Sequence, residues 1–187
     1  MRIISGSLKG RKIPHVYKIK NVSPSSDFLK GVLFNVIGAD IRGKVFCDLY
    51  AGTGNIGFEA LSRGASFCIF VETSPDLISI IIKLSKQFMV EGKVKIIKKD
   101  VIKTLETGLL KEYKPDYIFL DPPYDLELCD KTINEITSNT DFSNFNADND
   151  IIVQHNKNEI LSWKYPPYEL INEKKHGKSV LSFYRVL

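Results

Sequence analysis

The stretch DLYAGTGNIGFEALSRG, residues 48–64, decides the fold. Three glycines, Gly52, Gly54 and Gly57, stand in the order G-x-G-x-x-G. An apolar run, KVFC, precedes them, and a helical pattern closed by Gly64 follows. Strand, glycine turn and helix open a nucleotide-binding α/β unit. Glu72, twenty residues past Gly52, completes a dinucleotide fingerprint. Gly52 and Gly54 let the backbone turn sharply and approach a ligand.

Asp48 argues against a dinucleotide. A pyrophosphate would rest on the glycine turn and the helix N-terminus. A carboxylate four residues before Gly52 would face that anion. S-adenosylmethionine has no phosphate and carries a sulfonium and an ammonium. Each gains about 1 to 4 kcal/mol beside a carboxylate ~4 Å away. Asp48 therefore tilts the reading from NAD towards S-adenosylmethionine.

Outward from this unit the chain alternates. KVFCDLY, SFCIFVE, KVKIIKKD, PDYIFLD and NDIIVQHN read as strands. NIGFEALSRG, SPDLISIIIKLSKQFMV, VIKTLETGLLKEY and LELCDKTINEITS read as helices, with Pro75 in a first turn. Ile78, Ile81 and Ile82 mark one buried helix face. PPYELINEKKHGKSVLSFYRVL reads as two strands around a solvated turn, EKKHGK. The fold class is α/β, Rossmann-like: a mostly parallel sheet with an antiparallel edge strand. Residues 137–150, rich in Asn, Asp and Ser, read as a loop. RIISGSLKGRKI reads as a β-hairpin, and the pattern from Asp27 to Gly38 as a helix. Residues 1–40 thus form an extension ahead of a main domain, 41–187.

Four acids end four strands: Asp48, Glu72, Asp100 and Asp121. Glu72 suits a ribose, and Asp100 an adenine amine. YIFLDPPYD, residues 117–125, supplies the other half of the chemistry. An exocyclic base amine is a poor nucleophile, because its lone pair is delocalised into the ring. Acceptors on both N–H groups localise that pair. Asp121 offers a carboxylate and Pro122 a carbonyl. Pro122 and Pro123 have no N–H to compete. Tyr124 offers a flat face for a flipped-out base.

The bulk numbers agree. The chain has 187 residues, 43% apolar and 26% charged, enough for one domain with a full core. No apolar run is long enough to span a bilayer, and the N-terminus lacks a secretory signal, so a cytoplasmic location is expected. Cys47, Cys68 and Cys129 read as buried thiols, and no metal is expected. Net charge is +4. Residues 1–26 hold six Lys/Arg and no acid, leaving 20 basic against 22 acidic residues elsewhere. Arg2, Lys9, Arg11 and Lys12 are the candidates for phosphate contact. Trp163 and Phe183 read as packing residues, and His155, placed just after a strand, as structural.

DLYAGTGNIGFEALSRGA, Val71–Glu72 and DPPY resemble the amino methyltransferases of the class I S-adenosylmethionine-dependent fold. The opening IISGSLKGRKI, with Gly6, Gly10, Arg11 and Lys12, together with SPSSDFLKGVLFNVI and GKSVLSFYR, resembles one branch. That branch is the bacterial 16S rRNA guanine-N2 methyltransferase family. The resemblance implies a seven-stranded sheet with one strand reversed. It places Asp48, Gly52 and Gly54 around the methionine end of the cofactor, with Ala51, Asn55 and Thr73 also among the cofactor-binding residues. Glu72 would hold the ribose, Asp100 and Val101 the adenine, and Asp121 to Tyr124 the target base. The implied partner is 16S rRNA or the assembling small subunit, met by a monomer. Where the family has Arg-Pro-Thr-x-Asp-Arg-Val-Arg-Glu, this chain reads Ser23-Pro24-Ser25-Ser26-Asp27-Phe28-Leu29-Lys30-Gly31. Competing readings are DNA adenine-N6 or cytosine-N4 methylation, which uses the same tetrapeptide, and a non-catalytic RNA-binding module.

Overall fold

Seven strands form one sheet in the computed structural model, which describes residues 1–14, 27–123, 128–139, 150–159, 161 and 168–186. They are β1 (Val45–Asp48), β2 (Phe67–Glu72), β3 (Val94–Lys98), β4 (Tyr117–Leu120), β5 (Asp150–Asn156), β6 (Tyr168–His176) and β7 (Ser179–Val186). The helices are α1 (Asp27–Ile37), α2 (Asn55–Arg63), α3 (Pro75–Gln87), α4 (Val101–Leu105), α5 (Leu109–Tyr113) and α6 (Leu128–Asn139). The strand order is β3-β2-β1-β4-β5-β7-β6. β1 to β5 are parallel. β7 runs antiparallel to both β5 and β6. The terminal hairpin thus supplies the antiparallel edge: β6 lies at the margin, and the reversed strand β7 one place in.

Both sheet faces are covered, which is why β1, β4 and β5 read as unbroken apolar runs. Successive side chains point to opposite faces, and the sequence sorts them by size. Phe46, Phe70, Phe119 and Phe183 share one layer with α1, α2 and α3 residues. Cys47, Ile69, Ile118 and Val153 share the other with α4 and α6 residues. α2 stops at Gly64, whose φ of 113° is left-handed and whose N–H returns to the helix. α3 starts at Ser74, whose hydroxyl accepts from the Leu77 N–H at 3.5 Å, with Pro75 next. All three cysteines are buried and free.

Some expectations need correction. The single helix expected over VIKTLETGLLKEY is two short ones. Gly108, at φ 78°, breaks it, and the Thr107 hydroxyl turns back onto the Thr104 carbonyl. Lys174, Lys175 and His176 belong to β6 rather than to a turn, because the ladder with β7 runs to His176 opposite Ser179. Only Gly177 and Lys178 make the turn. His155 lies inside β5, where Nε2 meets the Ser182 hydroxyl at 2.9 Å. Of the isoleucines in α3, Ile78 and Ile81 are buried and Ile82 is half-buried. In the polar stretch, residues 137–139 continue α6 and Asp150 begins β5. Residues 140–149, Trp163 and Ser23 to Ser26 lie outside the described residues.

The opening residues double back as expected, but through one antiparallel bridge, Arg2 with Lys12, instead of two strands. The Ile3 N–H donates to the Arg11 carbonyl at 2.9 Å, and the Ile13 N–H to the Met1 carbonyl at 3.0 Å. Ile3 and Ile13 are buried in the phenylalanine-lined layer.

Candidate active site

The chain leaves β1 for β2 and β3 on one side, then returns to β4 on the other. The connections after β1 and β4 therefore diverge, and a crevice opens at their carboxyl ends. In the ladders Asp48 stands opposite Phe70 of β2 and Phe119 of β4. Glu72 and Asp121 each lie two residues past those partners. Three carboxylates thus surround the turn after β1.

Asp48 is 2% exposed, and its Oδ2 accepts from the Gly57 N–H at 3.1 Å. Gly57 is in the first turn of α2, so Asp48 caps that helix, which has no side-chain cap at Gly54. Burial pushes the Asp48 carboxyl up to about 7. The Gly57 N–H pulls it down, and the charges of Asp121 and Glu72 add to the rise. A pyrophosphate would find an amide of this helix N-terminus already taken by Asp48.

Glu72 is more engaged than its sequence position suggests. Oε2 accepts from the Gly52 N–H at 2.9 Å. Oε1 accepts from Thr73 N–H at 2.7 Å and Ser74 N–H at 2.8 Å. It therefore holds the glycine turn in place, and among the described residues Oε2 accepts from Gly52 alone. Gly52 has φ 56°, and nothing lies nearer than 4.0 Å to where its Cβ would stand. Gly57 serves packing instead, since a Cβ there would lie 2.2 Å from Phe70 Cε1. It lets α2 press onto β2.

The other sequence-derived residues divide. Ala51 is buried, and its N–H donates to the Val71 carbonyl at 3.0 Å. Thr73 is exposed beside Glu72. Asp100 lies two residues beyond β3 and caps α4 through the Lys103 N–H at 3.1 Å. Val101 is buried in the second layer. Asn55 is turned towards a buried lysine: its Oδ1 accepts from Lys30 Nζ at 2.8 Å. Asp121 and Pro123 are half-buried and Pro122 is buried. Tyr124 lies outside the described residues.

Arg2, Lys9, Arg11 and Lys12 are exposed on a hairpin seated on α2. Glu59, fully buried, accepts from the Ile4 N–H at 2.8 Å and the Ser5 N–H at 3.0 Å. Lys30 Nζ lies 3.5 Å from Glu59 and also donates to the Arg2 carbonyl. Burial lowers the Lys30 pKa, and Glu59 and Asp27 offset part of that. Sequence reasoning missed Lys30 and Glu59, although two charges on otherwise apolar helix faces were visible signals. It also missed Tyr50, whose hydroxyl meets Thr132 of α6 at 2.6 Å and ties the glycine turn to that helix. Among the described residues no group of His, Cys, Asp or Glu is placed to hold a metal. No described helix is long and apolar enough to cross a membrane.

Known proteins share this plan. A family model described as "Conserved hypothetical protein 95" matches residues 1–185. Ribosomal RNA small subunit methyltransferase D of Buchnera aphidicola subsp. Baizongia pistaciae is 34% identical, over 98% of this chain and 91% of its own. The chain belongs to this family. The methyltransferase D of Escherichia coli K12 is 30% identical, over 74% of this chain and 68% of its own. The solved structure of the yhhF protein of Escherichia coli superposes with a TM-score of 0.83 at 26% identity, covering 100% of this chain and 97% of that one. An RNA methyltransferase from Salinibacter ruber, solved with S-adenosyl-L-homocysteine, shares the fold with a TM-score of 0.65 at 16% identity, covering 88% and 94%. The class I methyltransferase architecture inferred from the glycine stretch is thus the one adopted. At the stretch where the resemblance has arginines, this chain places Lys30 in the buried cluster and leaves Phe28 exposed.

Proposed function

We propose that the protein methylates an exocyclic base amine of small-subunit ribosomal RNA, guanine N2, with S-adenosylmethionine as donor. The observation that carries this reading is the meeting of Asp48, Glu72 and Asp121 at the switch point, around a helix N-terminus already capped by a carboxylate. Such a site favours a cationic ligand over a phosphate. The open side of Gly52 leaves room for it to lie against the turn. Asp48, Ala51, Gly52 and Gly54 would border its methionine end, Glu72 and Thr73 its ribose, and Asp100 with Val101 its adenine. Asn55 supports the turn through Lys30.

When bound, the donor supplies an electrophilic methyl on sulfur. Asp121 and the Pro122 carbonyl accept the two N–H groups of the target amine and localise its lone pair. Asp121 stabilises the positive charge that develops on nitrogen until a proton leaves. Tyr124 stacks on the flipped base. Alignment of amine, methyl and sulfur supplies much of the rest. Arg2, Lys9, Arg11 and Lys12 bind phosphates from a functional unit of residues 1–40, ahead of the catalytic domain 41–187. The protein acts as a monomer in the cytoplasm, on RNA or the assembling subunit.

The test is transfer of tritiated methyl from S-adenosylmethionine to under-methylated small-subunit RNA, with duplex DNA as a parallel substrate. Asp121→Ala should lower the rate about 10²- to 10³-fold, the usual cost of losing one preorganised polar partner of the transition state. Mass mapping should find N2-methylguanine. An unaltered rate in the variant, or preferential labelling of DNA, would overturn the proposal.

A further inference from the structure

Phe28 is 55% exposed on α1, whose Leu29, Leu33, Phe34 and Ile37 are buried. Its ring centroid lies 4.1 Å from that of His176, with the planes tilted by 31°. His176 ends β6 at the tip of the β6–β7 hairpin. The ladders fix where that tip stands. Ser179 is opposite both Asn156 of β5 and His176 of β6. Asn156 is the carboxyl end of β5, so the tip shares the sheet edge that carries Asp48 and Asp121. β6 is three strands from β4, roughly 14 Å at the usual inter-strand spacing.

The tip is basic. Lys174, Lys175 and Lys178 are exposed, and so is Lys157 in the turn after β5. The Lys157 N–H donates to the Lys178 carbonyl at 2.8 Å and joins the two turns. Two acids lie close. Glu173 pairs with Lys175 at 2.9 Å, and Glu159 accepts from the Asn156 N–H at 3.3 Å. Among the described residues no carboxylate pairs with Lys157, Lys174 or Lys178. Strand alternation puts Lys174 and His176 on one face of β6 and the Glu173–Lys175 pair on the other. The His176–Phe28 contact identifies the first as the α1 face. Asp27, beside Phe28, is taken up by Arg2 at 4.0 Å and Lys30 at 3.6 Å.

We infer that Phe28, His176, Lys157, Lys174 and Lys178 form a second RNA-binding surface beside the crevice, stacking an unpaired base next to the target and contacting its phosphates. This rests on the RNA methyltransferase reading. Exposed rings flanked by cations make a platform for single-stranded nucleic acid. Phe28 stands where the resemblance has an arginine. Phe28 offers a ring at that position, and the hairpin tip supplies the cations. The first turn of α1 joins this surface to the N-terminal one, since Asp27 touches Arg2 while Phe28 touches His176.

The experiment measures binding to protein-free small-subunit rRNA and to assembled subunits, both from cells lacking the protein, across a salt series. Cofactor affinity is measured alongside by calorimetry with S-adenosylmethionine. The double variant Lys174→Glu/Lys178→Glu should bind free RNA at least about tenfold more weakly, with the slope of log affinity against log salt shallower by about 1.4. Phe28→Ala should weaken binding about fivefold or more without changing the slope. Both should keep wild-type cofactor affinity. Unchanged affinity and slope in both variants would overturn the inference and leave the methyltransferase reading standing. So would a loss confined to assembled subunits, which would assign the surface to a protein partner. A wild-type protein that binds cofactor but no rRNA would bring down the reading beneath it as well.

Discussion

Asp48 is buried, holds the first turn of α2 and faces two further carboxylates. Its ordinary pKa of 3.8 is raised to about 7, chiefly by burial. The sign follows from proton counting. Between about pH 4 and 7 the native carboxyl keeps a proton that the unfolded chain has lost. This group's contribution to stability therefore falls as pH rises through that window. A cationic ligand needs the ionised form, so its affinity rises over the upper part of the same range. Calorimetry should show S-adenosylmethionine binding about tenfold more tightly at pH 8 than at pH 6. Asp48→Asn should bind weakly with no such slope, yet melt no lower than the wild type at pH 8. A variant that keeps the slope would mean another group titrates. The acid at position 48 was legible in the sequence; its bond to Gly57 was not, because nine residues of turn and helix must fold before the two meet.

Glu59 plays the corresponding part between elements. One buried carboxylate receives two amides of the N-terminal hairpin, the Arg63 guanidinium at 2.8 Å and the Lys30 ammonium at 3.5 Å. Three elements converge on it, and α2, which carries it, begins at the glycine turn. Glu59→Ala would leave Lys30 buried without that partner and strip the acceptor from Ile4 and Ser5. Urea unfolding should show a loss of about 3 to 5 kcal/mol. Amide exchange at Ile4 and Ser5 should quicken well before that of β1. Equal acceleration of both would mean that the hairpin and sheet open together. Gly6 is bound into the same contact: a Cβ there would stand 1.8 Å from the Ser62 carbonyl oxygen. The hairpin was readable from its glycines and alternation, but its seat on α2 was not, since its partners lie about 55 residues away.

At the scale of the whole molecule, two apolar layers lie on opposite faces of one sheet, and a thiol probes each. Cys68 belongs to the phenylalanine-lined layer, Cys47 and Cys129 to the other. Burial raises all three thiols above their ordinary pKa, and the Asp48 charge adds to the effect at Cys47 and Cys68. Thiolate is the reactive form, so native protein at pH 8 should resist alkylation at every site. The layers share β1, β2, β4 and β5, so they should unfold as one unit. Pulsed alkylation in urea should then label the three cysteines with a common rate. Early labelling of Cys129 alone would show α6 leaving first.

The α/β class, the alternation of strands and helices apart from the break at Gly108, and the four acids at or just past strand ends followed from the sequence by itself. Periodicity, glycine punctuation and turn chemistry are local, and local patterns survive without coordinates. The proposal of a cationic donor in place of a pyrophosphate also starts there, from the sign of one charge beside a glycine turn. Tertiary structure alone decided that Glu72 is spent largely on backbone amides, that Lys30 lies buried between Asn55 and Glu59, and that Phe28 meets His176 across 148 positions of chain. These contacts depend on strand order and on which face each side chain takes. Both are settled by packing distant segments against one another, which no local window records.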